Sequence, residues 1–133
     1  MKVVLVDTSV WINVFKGIET NSSVYLKNEN LNISVATCPV IVQEVLQGIV
    51  SDRDYTIIAN KLSNMNTLPA NAYNYAYAAA NLYRELRKKG ITIRKPNDCL
   101  IAIYAIQNKI PLLHDDKDFT NIAAFSDLKV LNI

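Results

Sequence analysis

The sequence predicts an α/β fold, a layered sandwich around a central, mostly parallel sheet, on three observations. Short apolar, β-branched runs alternate with helical patterns along the whole chain. The first of them, KVVLV at residues 2–6, is apolar without a break, as strands buried on both faces are. Acidic residues stand just beyond such runs, where open α/β sheets bind ligands.

After the first strand, Asp7-Thr8-Ser9 leads into Val10, Trp11, Val14 and Phe15 at helical spacing. Thr8 or Ser9 suits the N-cap of that helix and Gly17 its stop. Residues 20–30 are polar with scattered apolar positions, a weak helix and turn. NISVA at 32–36 is a second strand, and Pro39 opens a helix carrying Val40, Ile41, Val42, Val45, Leu46 and Ile49. A further helix spans 51–64, and Thr67-Leu68-Pro69 is a short edge strand. The longest helical pattern, 71–89, is rich in Ala and Tyr and closes at Gly90. Asn97 caps a helix over 98–109, IPLLH at 110–114 is a strand, 118–125 a short helix and LKVLNI at 128–133 a last strand.

The 133 residues are half apolar and one fifth charged, which suits one domain spanning 1–133 with a sizeable core. Disorder is excluded by that apolar content, and collagen-like sequence by a count of 3 Gly and 4 Pro. No apolar run approaches the roughly 20 residues of a membrane span, and the first run is cut by Asp7 too early for a signal peptide. Cys38 and Cys99 lie far apart in apolar segments, so no disulfide framework is expected and the cytoplasm is the default compartment.

The informative residues are acids in apolar company. Asp7 ends the first strand, and Asp115, Asp116 and Asp118 follow the IPLLH strand. If those two strands are neighbours, the acids meet. Glu44 sits on an apolar helix and Asp98 in the first turn of another. Taken singly, each has an ordinary explanation: Asp7 as a helix cap, Asp98 as a first-turn charge, Glu44 on a solvated stripe beside Gln43 and Gln47, Asp116 and Asp118 as turn and cap residues. Taken together they are most economically explained by a shared cation, because a buried lone carboxylate is expensive. All-oxygen donors point to Mg²⁺, with Mn²⁺ as its substitute, since one His and two separated Cys offer zinc little. With four acids sequestered, 14 Lys and Arg face the 8 remaining acids of the 12, a basic shell suited to a polyanion whose phosphate meets a metal.

The same segments resemble four motifs of PIN-domain ribonucleases, specifically the small VapC-type toxins of toxin–antitoxin systems. These are LVDTSVWI at 5–12, VQEVLQG at 42–48, NDCLIA at 97–102 and LLHDDKDF at 112–119, in family order over essentially the whole chain. The resemblance implies a PIN-like three-layer sandwich with a central, mostly parallel five-stranded sheet flanked by helices. It implies metal-dependent endonucleolytic cleavage of RNA, of the tRNA or rRNA class, leaving 5′-phosphate and 3′-hydroxyl ends. Carried over motif by motif, Asp7, Glu44, Asp98 and Asp116 form the catalytic quartet, with Asp7, Asp98 and Asp116 on the metal and Asp118 as an accessory ligand. Thr8 would orient Asp7 or a water on the metal. Asp115 adjoins the matching aspartate. A homodimer and a cognate VapB-type antitoxin that blocks the site are implied as partners. Cys99 departs from the usual small or apolar residue there, which leaves the chemistry untouched.

Between Arg84 and Lys95 six cations face the single acid Glu85, and Arg94 and Lys95 lead straight into Asp98. They suit a phosphate-contacting rim, or an ordinary solvated helix end. Tyr73, Tyr75, Tyr77 and Tyr83 suit core or dimer packing more than base stacking. Trp11 and Phe15 read as packing residues, which the resemblance implies would line an antitoxin groove, and His114 as a packed neighbour of the site. Two competing functions differ in what they require. A receiver-like phosphoacceptor needs adjacent acids after its first strand, and Asp7 stands alone there; a non-catalytic RNA-binding PIN domain has no need of intact acids at all four positions. No glycine-rich loop supports nucleotide binding.

Overall fold

The computed structural model describes all of residues 1–133. Strand β1 (Lys2–Val6) leads into α1 (Thr8–Lys16) and α2 (Asn21–Leu26), and β2 (Ile33–Thr37) into α3 (Pro39–Gln47) and α4 (Asp52–Ser63). After β3 (Asn66–Thr67) come α5 (Ala72–Lys88), α6 (Asn97–Gln107), β4 (Leu112–Leu113) and α7 (Lys117–Ala124). The sheet is wholly parallel, in the order β3-β2-β1-β4. Strand order therefore reverses beside β1, which opens a crevice at the carboxyl ends of β1 and β4.

The expected five strands are four. The segment 128–133 makes a single parallel bridge, Val130 with Leu112, closed by Leu112 N–H to the Lys129 carbonyl (2.9 Å) and Leu131 N–H to the Leu112 carbonyl (2.8 Å). Its buried residues, Leu128 and Leu131, are three apart, so the segment lacks the alternation a strand needs. Proline marks two other strands. Pairing of β3 ends at the Leu68 N–H to Thr37 carbonyl bond, and Pro69, whose missing N–H would face the open edge of the sheet, leaves that edge without a donor. Pro111 accepts from Leu5 N–H at 3.0 Å but donates nothing, which confines β4 to two residues.

The caps differ from expectation in instructive ways. Asp7, not Thr8 or Ser9, caps α1, one oxygen accepting from Ser9 N–H, and Gly17 ends that helix with φ 69°. Asn97 is already inside α6; Pro96 precedes it without any side-chain cap bond. Val4, Leu5 and Val6 are fully buried, as are Ile41, Ile101, Leu112, Phe119 and Ile122 from the surrounding elements, so the sheet lies at the centre of one core. Tyr75 packs edge-on against Tyr104 (4.9 Å between centroids), whereas Tyr73 and Tyr77 are exposed. Trp11 stacks on Phe15. Cys38 and Cys99 are buried, unpaired thiols that burial pushes up to about 12 and about 11, so neither is reactive.

Candidate metal centre

The crevice collects the acids because strand pairing forces their loops together. Asp7 N–H donates to the Leu113 carbonyl at 2.9 Å, so the residue after β1 is tied to the end of β4. From β4 the chain turns through Asp115 and Asp116 into α7. Asp98, in the first turn of α6, completes a buried triad: one oxygen from each of Asp98, Asp116 and Asp118 lies within 4.8 Å of the others. On the other side, Asp7, Thr8, Ser9, Ile12, Glu44, Gln47, Lys95 and Asp98 line a cleft of about 210 Å³. Asp98 faces both, so triad and cleft form one site.

Each carboxylate has a distinct environment. Asp7 gives one oxygen to Ser9, accepting from its N–H (3.0 Å) and its hydroxyl (2.6 Å), while Oδ1 is buried with no partner. Capping and site membership thus coexist in one side chain. Glu44 is half-buried and accepts from the Thr8 hydroxyl at 2.9 Å. Thr8 therefore orients Glu44 rather than Asp7, contrary to the expectation, because α1 packs beside α3 and aims the Thr8 hydroxyl at it. Asp116 caps α7, its Oδ1 accepting from Asp118 N–H at 2.9 Å, and its Oδ2 accepts from Lys95 Nζ at 3.0 Å. Asp118 accepts from Arg94 N–H at 3.1 Å, and the Arg94 guanidinium stands 3.8 and 3.7 Å from Asp116 and Asp118. Asp98 Oδ2 is buried without a partner.

Asp115 turns away from the cluster. Its carboxylate accepts from Asn13 (2.8 Å) and Thr20 (2.7 Å), tying the β4–α7 turn to α1 and to the residue that caps α2. Sequence reasoning missed Ser9, whose hydroxyl accepts from Asp115 N–H at 2.9 Å while donating to Asp7, so it joins the two acid-bearing loops. The Asp-x-Ser spacing signals a local turn bond, but no sequence feature signals the contact with Asp115. His114 packs against Phe119, and its Nδ1 accepts from Asp116 N–H at 3.2 Å. Burial holds its pKa below the usual histidine value, so it stays uncharged at neutral pH.

Electrostatics sort the acids. Burial, reinforced by Asp116 and Asp7, pushes Asp98 up to about 8. Burial also raises Asp7, against the opposing Ser9 hydrogen bonds. Burial would raise Asp116 too, but the Asp118 N–H and the Lys95 ammonium outweigh it and hold it below the ordinary range. Buried polar atoms without partners are rare and costly. Here two carboxylate oxygens, Asp7 Oδ1 and Asp98 Oδ2, are in that condition within one all-oxygen site. A hard divalent cation held by Asp98, Asp116 and Asp118 would satisfy the Asp98 oxygen, so the residues present fit such an ion, with Asp7 on the adjoining cleft wall.

A parallel sheet with buried carboxylates at its switch point defines an α/β protein with an acidic cluster at the carboxyl ends of its strands. The family profile described as PIN domain matches residues 4–124, and the chain belongs to the PIN-domain family. Ribonuclease VapC11 of Mycobacterium tuberculosis is 31% identical over 128 residues, covering 95% of this chain and 96% of that protein. VapC ribonuclease Mb1587 of Mycobacterium bovis is also 31% identical, with the same coverage. Among solved structures, VapBC-1 from nontypeable Haemophilus influenzae superposes with a TM-score of 0.73 at 18% identity, covering 98% of this chain and 97% of that one. VapBC-5 from Mycobacterium tuberculosis, of the VapBC family of toxin-antitoxin systems, gives 0.70 at 21% identity over 100% of both chains. The structural matches establish the fold. Family membership removes the support for a receiver-like phosphoacceptor. No helix is long and apolar enough to cross a membrane.

Proposed function

We propose that this chain is a VapC-type endoribonuclease toxin that cleaves RNA with Mg²⁺ or Mn²⁺ and is restrained by a VapB-type antitoxin. The observation that carries the reading is the buried, partnerless Asp98 Oδ2 at the junction of triad and cleft. Asp98, Asp116 and Asp118, with Asp7 across the cleft, would hold the ion. When bound, the ion polarises the scissile phosphodiester and stabilises the leaving oxygen. Glu44, one oxygen held by Thr8, keeps the other to accept a proton from the attacking water. Ser9 keeps Asp7 in place. Arg94 and Lys95, both largely exposed at the rim, meet phosphates of the bound strand.

The VapC relatives and the VapBC structures support the antitoxin as partner. An apolar cleft between the end of α1 and α4, lined by Phe15, Ile49, Val50, Ile57 and Ile58, offers an apolar antitoxin segment a seat. A homodimer is part of the same reading, as is one catalytic domain over 1–133. The deciding experiment incubates wild type and Asp98→Asn with cellular RNA in Mg²⁺ or in chelator and maps new 5′ ends. The expected result is cleavage by wild type in Mg²⁺ alone. An inert wild type would leave the non-catalytic RNA-binding alternative standing.

A further inference from the structure

We propose that Lys95 is a built-in competitor for the cation site. Its ammonium holds Asp116 until a divalent ion claims that carboxylate, and the displaced side chain then presents its charge to a substrate phosphate. The inference rests on the metal-nuclease reading above and adds a regulation of that site.

The division of labour on Asp116 carries the argument. Its Oδ1 is committed to the backbone, accepting Asp118 N–H as the cap of α7. Its Oδ2 is the oxygen with no backbone bond, and Lys95 Nζ already occupies it at 3.0 Å. An ion that binds through Oδ2 must share that oxygen with the ammonium or displace it. Displacement leaves no charge stranded. The Lys95 side chain is 60% exposed and regains water, and the incoming ion takes over the charge of the buried Asp116 carboxylate. The backbone stays put meanwhile, because the Lys95 carbonyl accepts Asp98 N–H at 2.9 Å and Pro96 restricts the residue before it. Motion is thus confined to the four-carbon stem, whose root lies on the wall of the cleft shared with Asp7, Glu44 and Asp98. Arg94 differs: its backbone N–H, not only its side chain, holds Asp118.

The test uses the full chain and Mn²⁺ alone, titrated calorimetrically into wild type, Lys95→Gln, Asp98→Asn and the surface control Lys89→Gln. Lys95→Gln should bind up to roughly fivefold more tightly than wild type, and Lys89→Gln like wild type. Since removing any nearby positive charge helps a cation, a second measurement isolates displacement. Saturating Mn²⁺ should raise the acylation rate of Lys95 severalfold, read by mass spectrometry, and leave Lys89 unchanged. In RNA cleavage, Lys95→Gln should raise KM severalfold and leave kcat nearly unchanged. Unchanged Lys95 reactivity, or Lys95→Gln binding no tighter, overturns the competitor. An unchanged KM overturns the phosphate contact. Absence of Mn²⁺ binding in every variant sinks this proposal together with the metal site. Normal Mn²⁺ competition without RNA cleavage sinks the nuclease reading and leaves the competitor intact.

Discussion

Asp98 sits nearly buried among negative neighbours at the cleft, and its behaviour should be visible in solution. Its folded pKa of about 8 lies far above the ordinary 3.8, so the folded chain holds a proton that the unfolded chain releases. Between those values the unfolded state binds fewer protons, and stability falls as pH rises. Asp7 acts in the same sense; Asp116, held low, acts oppositely and only in acid, where its stabilisation is lost. Metal-free wild type should therefore melt lower at about pH 9 than at about pH 6, while Asp98→Asn levels the difference. That variant should also cut RNA at least about 100-fold more slowly. Thr8 offers a finer probe, since its hydroxyl bond to Glu44 spans two helices. Thr8→Ala should lower kcat about tenfold, the worth of one hydrogen bond to a charged group, and Thr8→Ser should restore most of it.

Among the elements, the C-terminal segment has the most surprising role. Residues 128–133 resemble a strand in composition, yet they serve as a cover: Leu128 and Leu131 close the outer edge of β4 through one bridge. Deleting them uncovers Leu112 and removes two buried leucines, a loss of about 3–6 kcal/mol. A urea denaturation midpoint unchanged by the deletion would show that the cover contributes nothing. β4 is short because Pro111, which faces β1, has no N–H to donate to it. Position within the sheet mattered more than strand length. Two residues of β4 suffice to bring the turn that carries Asp116 and Asp118 next to the end of β1, where Asp7 stands.

At the scale of the whole molecule, a near-neutral chain separates its charges. Five acids, Asp7, Glu44, Asp98, Asp116 and Asp118, line one site, and the formal net charge of +2 conceals the surplus of cations elsewhere. A ligand that prefers the folded state raises stability, so Mg²⁺ or Mn²⁺ should raise Tm. The rise should be larger at about pH 9 than at about pH 6, because the ion competes with the Asp98 proton. Flat melting curves across the titration would count against the cluster. RNA affinity should fall steeply with salt, and losing either Arg94 or Lys95 should lower the log–log slope by about one.

The residues themselves carried the alternation of strands and helices, the apolar first strand and the chemical type of the site, because burial patterns and donor chemistry are local properties. Asp7, Glu44 and Asp98 were legible in that way, together with an undivided group of Asp115, Asp116 and Asp118 from which the motif resemblance singled out Asp116. Tertiary structure alone decided which oxygens are spent and which are free: Asp115 committed to Asn13 and Thr20, Thr8 to Glu44, Asp116 Oδ2 to Lys95, and Asp98 Oδ2 to nothing. Those partners are distant in sequence and become neighbours through strand order and helix packing, which no local pattern encodes.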